Sequence, residues 1–144
     1  IVASKYPGAR LHIVGKDFPK KFSSLLSTSV TLIHQVDDIR DQFAKADIVV
    51  APIRVGGGTK YKILEAMAAG IPVITNAKGV QGLPLVHQEN CYIGETGDDY
   101  VGIIDSMIRS SQITKKVVLN ARDLVEKHYS WTSIAKELST IWKK

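Results

Sequence analysis

A chain of 144 residues, 44% hydrophobic and 23% charged, with 11 Gly and 5 Pro, has the composition of one globular domain with a core. This excludes a collagen, a disulfide mini-protein and a disordered tail, and an aromatic content of 7% argues against a stacking platform for single-stranded nucleic acid. The net charge of +5, from 19 basic and 14 acidic residues, suits a phosphate ligand, nucleic acid or a membrane surface without choosing among them.

The chain opens on Ile1, without a signal-peptide pattern. Residues 1–6 read as the last turns of a helix, stopped by Pro7-Gly8. A domain rarely begins that way, so an upstream part is expected to be missing. Strand-length apolar runs then recur at Arg10–Gly15, Val30–Val36, Asp47–Ile53, Ile71–Thr75 and Cys91–Ile93. They are rich in Val and Ile, the pattern of parallel strands covered on both faces. Between them lie helical stretches. Pro19–Leu26 is short. Asp37–Ala46 opens on two carboxylates suited to a helix start and predicts Ile39 and Phe43 buried. Thr59–Ala69 follows three glycines and stops at Gly70. The alternation predicts an α/β fold, a doubly wound parallel sheet with right-handed crossovers.

After Cys91–Ile93 the strand signals stop. Asp98–Ser110, Ile113–His128 and Trp131–Lys143 read as three helices. Thr96 or Gly97 can cap the first and Ser130 the third. The second carries Val117, Val118, Ala121, Leu124 and Val125 on one stripe. With no linker or repeat, residues 1–144 read as a single domain with C-terminal helices. The one cysteine, Cys91, cannot form an internal disulfide, which fits a reducing compartment, and in its strand it reads as an apolar residue. No apolar run approaches the roughly 20 residues of a membrane span.

The chemistry is concentrated between Ile48 and Thr75. A strand runs into Gly56-Gly57-Gly58, and Thr59 is expected to cap the helix that follows. Bare backbone N–H groups and the positive end of a helix then meet at the carboxyl edge of a sheet, where a phosphate is the natural occupant. Lys60 and Lys62 add charge nearby. The spacing is neither that of a P-loop nor G-x-G-x-x-G, and three glycines are as often only a turn. Glu65 follows on the same helix among Ile63, Leu64, Ala66 and Met67. A helix that apolar is expected to be covered on both sides, so its carboxylate needs a polar partner. A pair of ribose hydroxyls would serve; the plainer alternative is an exposed glutamate paired with Lys62.

Ala51-Pro52, Gly56-Gly57-Gly58-Thr59-Lys60, Ile63-Leu64-Glu65-Ala66-Met67-Ala68-Ala69-Gly70 and Ile71-Pro72-Val73-Ile74 together resemble the donor-binding segment of the GT-B glycosyltransferases, most closely the retaining family 4, or group 1, type. Pro7–Gly15, Val36-Asp37-Asp38, Gly79–Leu83 and Tyr129-Ser130-Trp131 extend the resemblance over the whole chain. It implies a Rossmann-like, nucleotide-sugar-binding C-terminal half of a GT-B enzyme, with the first strand and the N-terminal acceptor domain absent from this chain. The glutamate matching Glu65 would hold the ribose. Gly57, Gly58, Thr59 and the helix start with Lys60 and Leu64 would face the diphosphate and sugar. Lys60 or Lys62 would offset leaving-group charge, and the base would lie near Gln35 and Val36.

The resemblance also implies no cofactor beyond the donor and no metal, in keeping with the scattered His12, His34, His87 and His128. Two departures stand out. Gly57 occupies the position of a first glutamate often found eight residues before the second, although Arg54, Gly56–Thr59 and Lys62 match a glycine-rich variant of the motif. The Arg and Lys that the family places before this region have no counterpart here.

The expected function is sugar transfer, with retention, from a nucleotide diphosphate-sugar to a glycan, lipid-linked or small-molecule acceptor, as in polysaccharide biosynthesis. The expected partners are the donor and the protein's own N-terminal domain, not nucleic acid. The expected setting is the cytoplasm, with peripheral association at the inner face of the membrane through the missing domain. This chain alone is expected to be inactive, because transfer needs donor and acceptor held together. The alternative is a non-catalytic phospholigand-binding or regulatory module on the same architecture. Trp131 and Trp142, eleven residues apart on one helix face, are expected to pack in a core or between domains.

Overall fold

The computed structural model describes residues 2–143. They fall into two compact units, Ile1–Gln42 and Phe43–Lys144.

In the first unit, α1 (Val2–Lys5) leads to β1 (Leu11–Gly15), a 3-10 turn (Lys20–Leu25) and β2 (Val30–His34). The two strands pair in parallel from Leu11 opposite Val30 to Gly15 opposite His34. Neither is covered as its Val/Ile content predicts: no residue of β1 or β2 is buried, and Leu11 is 47% exposed. The helix expected over Asp37–Ala46 is a single turn, α2 (Arg40–Phe43). The carboxylates precede it, and Asp38 meets its start as expected, accepting from the Arg40 backbone N–H at 2.9 Å and from the Arg40 guanidinium at 2.6–2.9 Å. Those bonds hold the Asp38 carboxyl below its ordinary range. Ile39 and Phe43 are half-buried rather than buried.

The second unit holds the core. Strands β3 (Val49–Ala51), β4 (Val73–Thr75) and β5 (Tyr92–Ile93) form a parallel sheet in that order. Successive side chains of a strand point to opposite faces, and β4 shows the consequence. Val73 joins Ile63, Leu64, Ala66 and Met67 of α3 (Tyr61–Ala68), while Ile74 joins Ile103 and Met107 of α5 (Gly97–Arg109). The long α6 (Ser111–His128) contributes to both clusters, Ala121 and Val125 to the first and Val117 to the second. The predicted stripe of α6 is therefore its buried face. Ile63, Met67 and Ile74 are fully buried, each stabilising by about 1.5–3 kcal/mol.

One short helix, α4 (Ala77–Val80), was not anticipated. The last helix, α7 (Trp131–Trp142), is capped by the Ser130 side chain as expected. It contains no buried residue, and Trp131 and Trp142 are 86% and 84% exposed, so they do not pack in a core of the described residues; packing between domains is the alternative left of that expectation. No helix among those residues is long and apolar enough to cross a membrane.

Candidate functional site

The glycine turn lies between β3 and α3. Gly56 and Gly58 have φ of +125° and +74°, conformations in which any other residue is strained. Gly57 does not need this freedom. The turn is tied down at its exit by Lys60, which the sequence left as a free cation beside a phosphate. Lys60 is instead 9% exposed, and its ammonium donates to the Gly58 carbonyl at 2.8 Å. Its long apolar stem allows that burial.

Lys60, not Thr59, occupies the cap position of α3, and no side chain caps the helix. The first bonds into the helix run from the Ile63 and Leu64 N–H groups to the Lys60 carbonyl at 2.9 and 3.3 Å. Among the described residues, no acceptor takes the N–H groups of Gly57, Gly58, Thr59, Tyr61 or Lys62. The first turn carries no acidic residue. A positive helix end thus stands open to an anion at the carboxyl edge of the sheet.

Along α3 the covered stripe is Ile63, Leu64, Ala66 and Met67. Leu64 therefore offers the site only its place in the helix; its side chain is in the core. Glu65 is not enclosed, contrary to the sequence-based expectation. It shares an open side of the helix with Tyr61, Lys62, Ala68 and Ala69. The reason is size: two alanines in an apolar run do not demand burial. The alternative pairing also fails, since no ion pair or hydrogen bond joins the Glu65 carboxylate to Lys62 or to any other described residue. Lys62 and Glu65 are exposed, one helical turn apart, next to the glycine turn.

Gln35 and Val36 follow β2 in the first unit. Gln35 is exposed with φ of +31°, and its N–H donates to the Gly15 carbonyl at 3.1 Å. Val36 is half-buried. His34 meets the Phe18 ring edge-on at 4.8 Å. His87 accepts the Ile93 N–H on Nδ1 at 2.9 Å, a structural bond. Cys91 is fully buried, and burial pushes its thiol up to about 11, which suits a packing residue and not a nucleophile. No group of three His, Cys, Asp or Glu among the described residues is placed to hold a metal ion.

The residue that sequence reasoning missed is Asn76, just after β4. Its side chain bonds both backbone groups of Ile53, three residues before Gly56, and caps α4. An Asn three residues before a glycine at a strand end is a capping signal, but nothing in the sequence says that it also reaches Ile53.

A family model described as Glycosyl transferases group 1 matches residues 1–111. The putative glycosyltransferase YtcC of Bacillus subtilis (strain 168) is 29% identical over 110 residues, which are 74% of this chain and 27% of YtcC. The structure of the C-terminal domain of LpcC, a glycosyl transferase group 1 family protein of Francisella tularensis, is 25% identical with a TM-score of 0.74, over 90% of this chain and 74% of that one. Anabaena HepE, crystallised with UDP and glucose, has a TM-score of 0.83 at 20% identity, over 99% of this chain and 42% of that one. The chain spans well under half the length of YtcC and HepE, and its fold is that of the C-terminal Rossmann-like domain of GT-B glycosyltransferases. By its sequence and by the domain it folds into, the chain belongs to the group 1 glycosyl transferases.

Proposed function

We propose that this chain is the donor-binding domain of a glycosyltransferase that takes a nucleotide diphosphate-sugar and transfers the sugar with retention. The observation that carries this is the start of α3. It is uncapped, free of acidic residues and preceded by a glycine turn whose N–H groups have no acceptor in the described chain. A diphosphate fits that arrangement in charge and hydrogen-bonding sense. The Gly57, Gly58 and Thr59 N–H groups meet the phosphate or sugar oxygens. Lys62, exposed, and Lys60, beneath the turn, offset the charge that builds on the diphosphate as the glycosidic bond breaks. Glu65 accepts from the ribose hydroxyls, a role to which its exposed, unpaired carboxylate lends support. The UDP bound by HepE is a ligand of this class. The donor is held without a resident metal. Acceptor binding falls to a separate N-terminal domain, so residues 1–144 alone do not transfer sugar. The reaction serves glycan or lipid-linked glycan synthesis in the cytoplasm, at the inner face of the membrane.

The test is Glu65→Gln, which keeps shape and removes charge. Calorimetric titration with UDP and GDP is expected to show binding weakened by about 1.5–3 kcal/mol, the range for hydrogen bonds to a charged group. That is roughly 10- to 150-fold in Kd. Pyrophosphate, which lacks ribose, should bind both proteins alike, and the melting temperature should not move. Equal UDP and GDP affinity in the two proteins would remove the ribose role.

A further inference from the structure

The glycine turn is placed by a residue on the neighbouring strand's end. Asn76 sets its side-chain amide against one backbone residue of the segment leading into the turn. Its Oδ1 accepts the Ile53 N–H at 3.1 Å, and its Nδ2 donates to the Ile53 carbonyl at 2.9 Å. This is the two-way pairing that another strand would supply. The same Oδ1 accepts the Gly79 N–H at 3.1 Å and so caps α4. Thr75 adds a buried bond from its hydroxyl to the Ala51 carbonyl at 2.8 Å. Gly79 is buried, and a Cβ there would run into the Thr75 hydroxyl, so α4 approaches this closely only with glycine. Beyond Ile53, the only other polar tie on the turn among the described residues is the Lys60–Gly58 bond. The backbone of residues 54–57, between the two ties, makes no hydrogen bond to the described chain.

We infer that Asn76 is the positioning residue of the donor site, fixing where the N–H groups of the glycine turn stand relative to the donor's diphosphate. The inference rests on the donor-binding reading of that turn. The chemistry of the side chain supports it. Capping α4 needs only an acceptor, which Ser or Asp would also provide. Asn76 in addition donates to Ile53, and an amide carries its donor and its acceptor on two separate atoms, whereas a hydroxyl carries both on one. A turn held at two points over a short span keeps its N–H groups in place for a ligand without contacting that ligand.

The test uses Asn76→Ser and Asn76→Asp. Both retain an acceptor for the Gly79 N–H and lose the Nδ2 donor to Ile53; the single serine hydroxyl oxygen cannot serve Gly79 and both backbone groups of Ile53 together. In the protein that carries this chain, UDP and GDP should bind about tenfold more weakly to both variants, as a displaced turn N–H gives up its bond to the charged diphosphate. Uridine and guanosine, which lack the diphosphate, should bind within about twofold of wild type. Without ligand, trypsin should cleave after the exposed Arg54 several-fold faster in the variants, well below their melting temperatures. Two results would overturn the inference: diphosphate affinity unchanged in both variants, or nucleoside and nucleoside diphosphate weakened equally alongside a lowered melting temperature. Unchanged cleavage after Arg54 overturns it whatever ligand the turn takes. A wild-type protein that binds none of UDP, GDP, ADP and dTDP overturns the donor reading itself.

Discussion

Two helices, α3 and α5, follow parallel strands of the same three-stranded sheet, and their first turns are finished in opposite ways. The start of α5 is closed by its own chain. Thr96 accepts from the Asp99 N–H at 3.2 Å, and the Asp99 carboxylate accepts from the Thr96 and Glu95 N–H groups at 2.8 and 2.9 Å. The start of α3 has no side-chain cap, no carboxylate in its first turn and a run of N–H groups without acceptors in the described chain. A helix end supplies the same partial positive charge in both places. At α5 that charge meets the chain's own carboxylate, and at α3 it meets no acceptor in the described chain. The start of α6 likewise has no side-chain cap and no acidic residue in its first turn, so what sets α3 apart is the glycine turn before it, whose N–H groups also lack acceptors in the described chain.

The contrast can be broken at α3. Lys60→Thr places at the α3 cap position the residue that α5 carries at its own. The threonine hydroxyl should take an N–H of the first turn, and the cation beneath the glycines is lost. UDP and GDP binding, read by titration, should fall by about tenfold or more. The reverse change sharpens it. Thr96→Ala opens the α5 start and should cost about 1 kcal/mol in a denaturant melt, the usual value of an N-cap, while nucleotide affinity stays as in wild type. The smallest effect is that of acid. Asp99 is held below the ordinary carboxylate range, first by the Thr96 backbone N–H, then by that of Glu95. Its contribution is therefore present above the unfolded carboxylate value of about 4, and is lost as pH falls through the lowered folded value. Amide exchange at residues 95–99 should rise across that window. The first turn of α3 has no carboxylate to titrate and should show no matching change.

Much of this architecture was legible in the sequence. Val and Ile runs bounded by Gly and Pro mark five strands, and the Val117–Ala121–Val125 spacing marks the face that α6 buries. What pattern reading could not supply is how far each element is covered. The runs at Leu11–Gly15 and Val73–Thr75 look alike, yet only β4 has helices packed on both faces. The side of α3 that holds Glu65 was illegible for a related reason: Ala68 and Ala69 are equally content inside or out. Thr59 has the right chemistry for a cap, but the cap position falls one residue on, at Lys60. Long-range side-chain bonds such as Asn76 to Ile53 span 23 residues and leave no local trace.

The most direct test compares the two helix starts in one experiment. Amide resonances of the protein would be followed by NMR as UDP or GDP is added. Gly57, Gly58, Thr59, Tyr61 and Lys62 should shift together along one binding curve while residues 95–99 at the capped start of α5 stay where they are. Shifts centred on residues 95–99, or nucleotide binding that leaves residues 57–62 unmoved, would contradict this expectation.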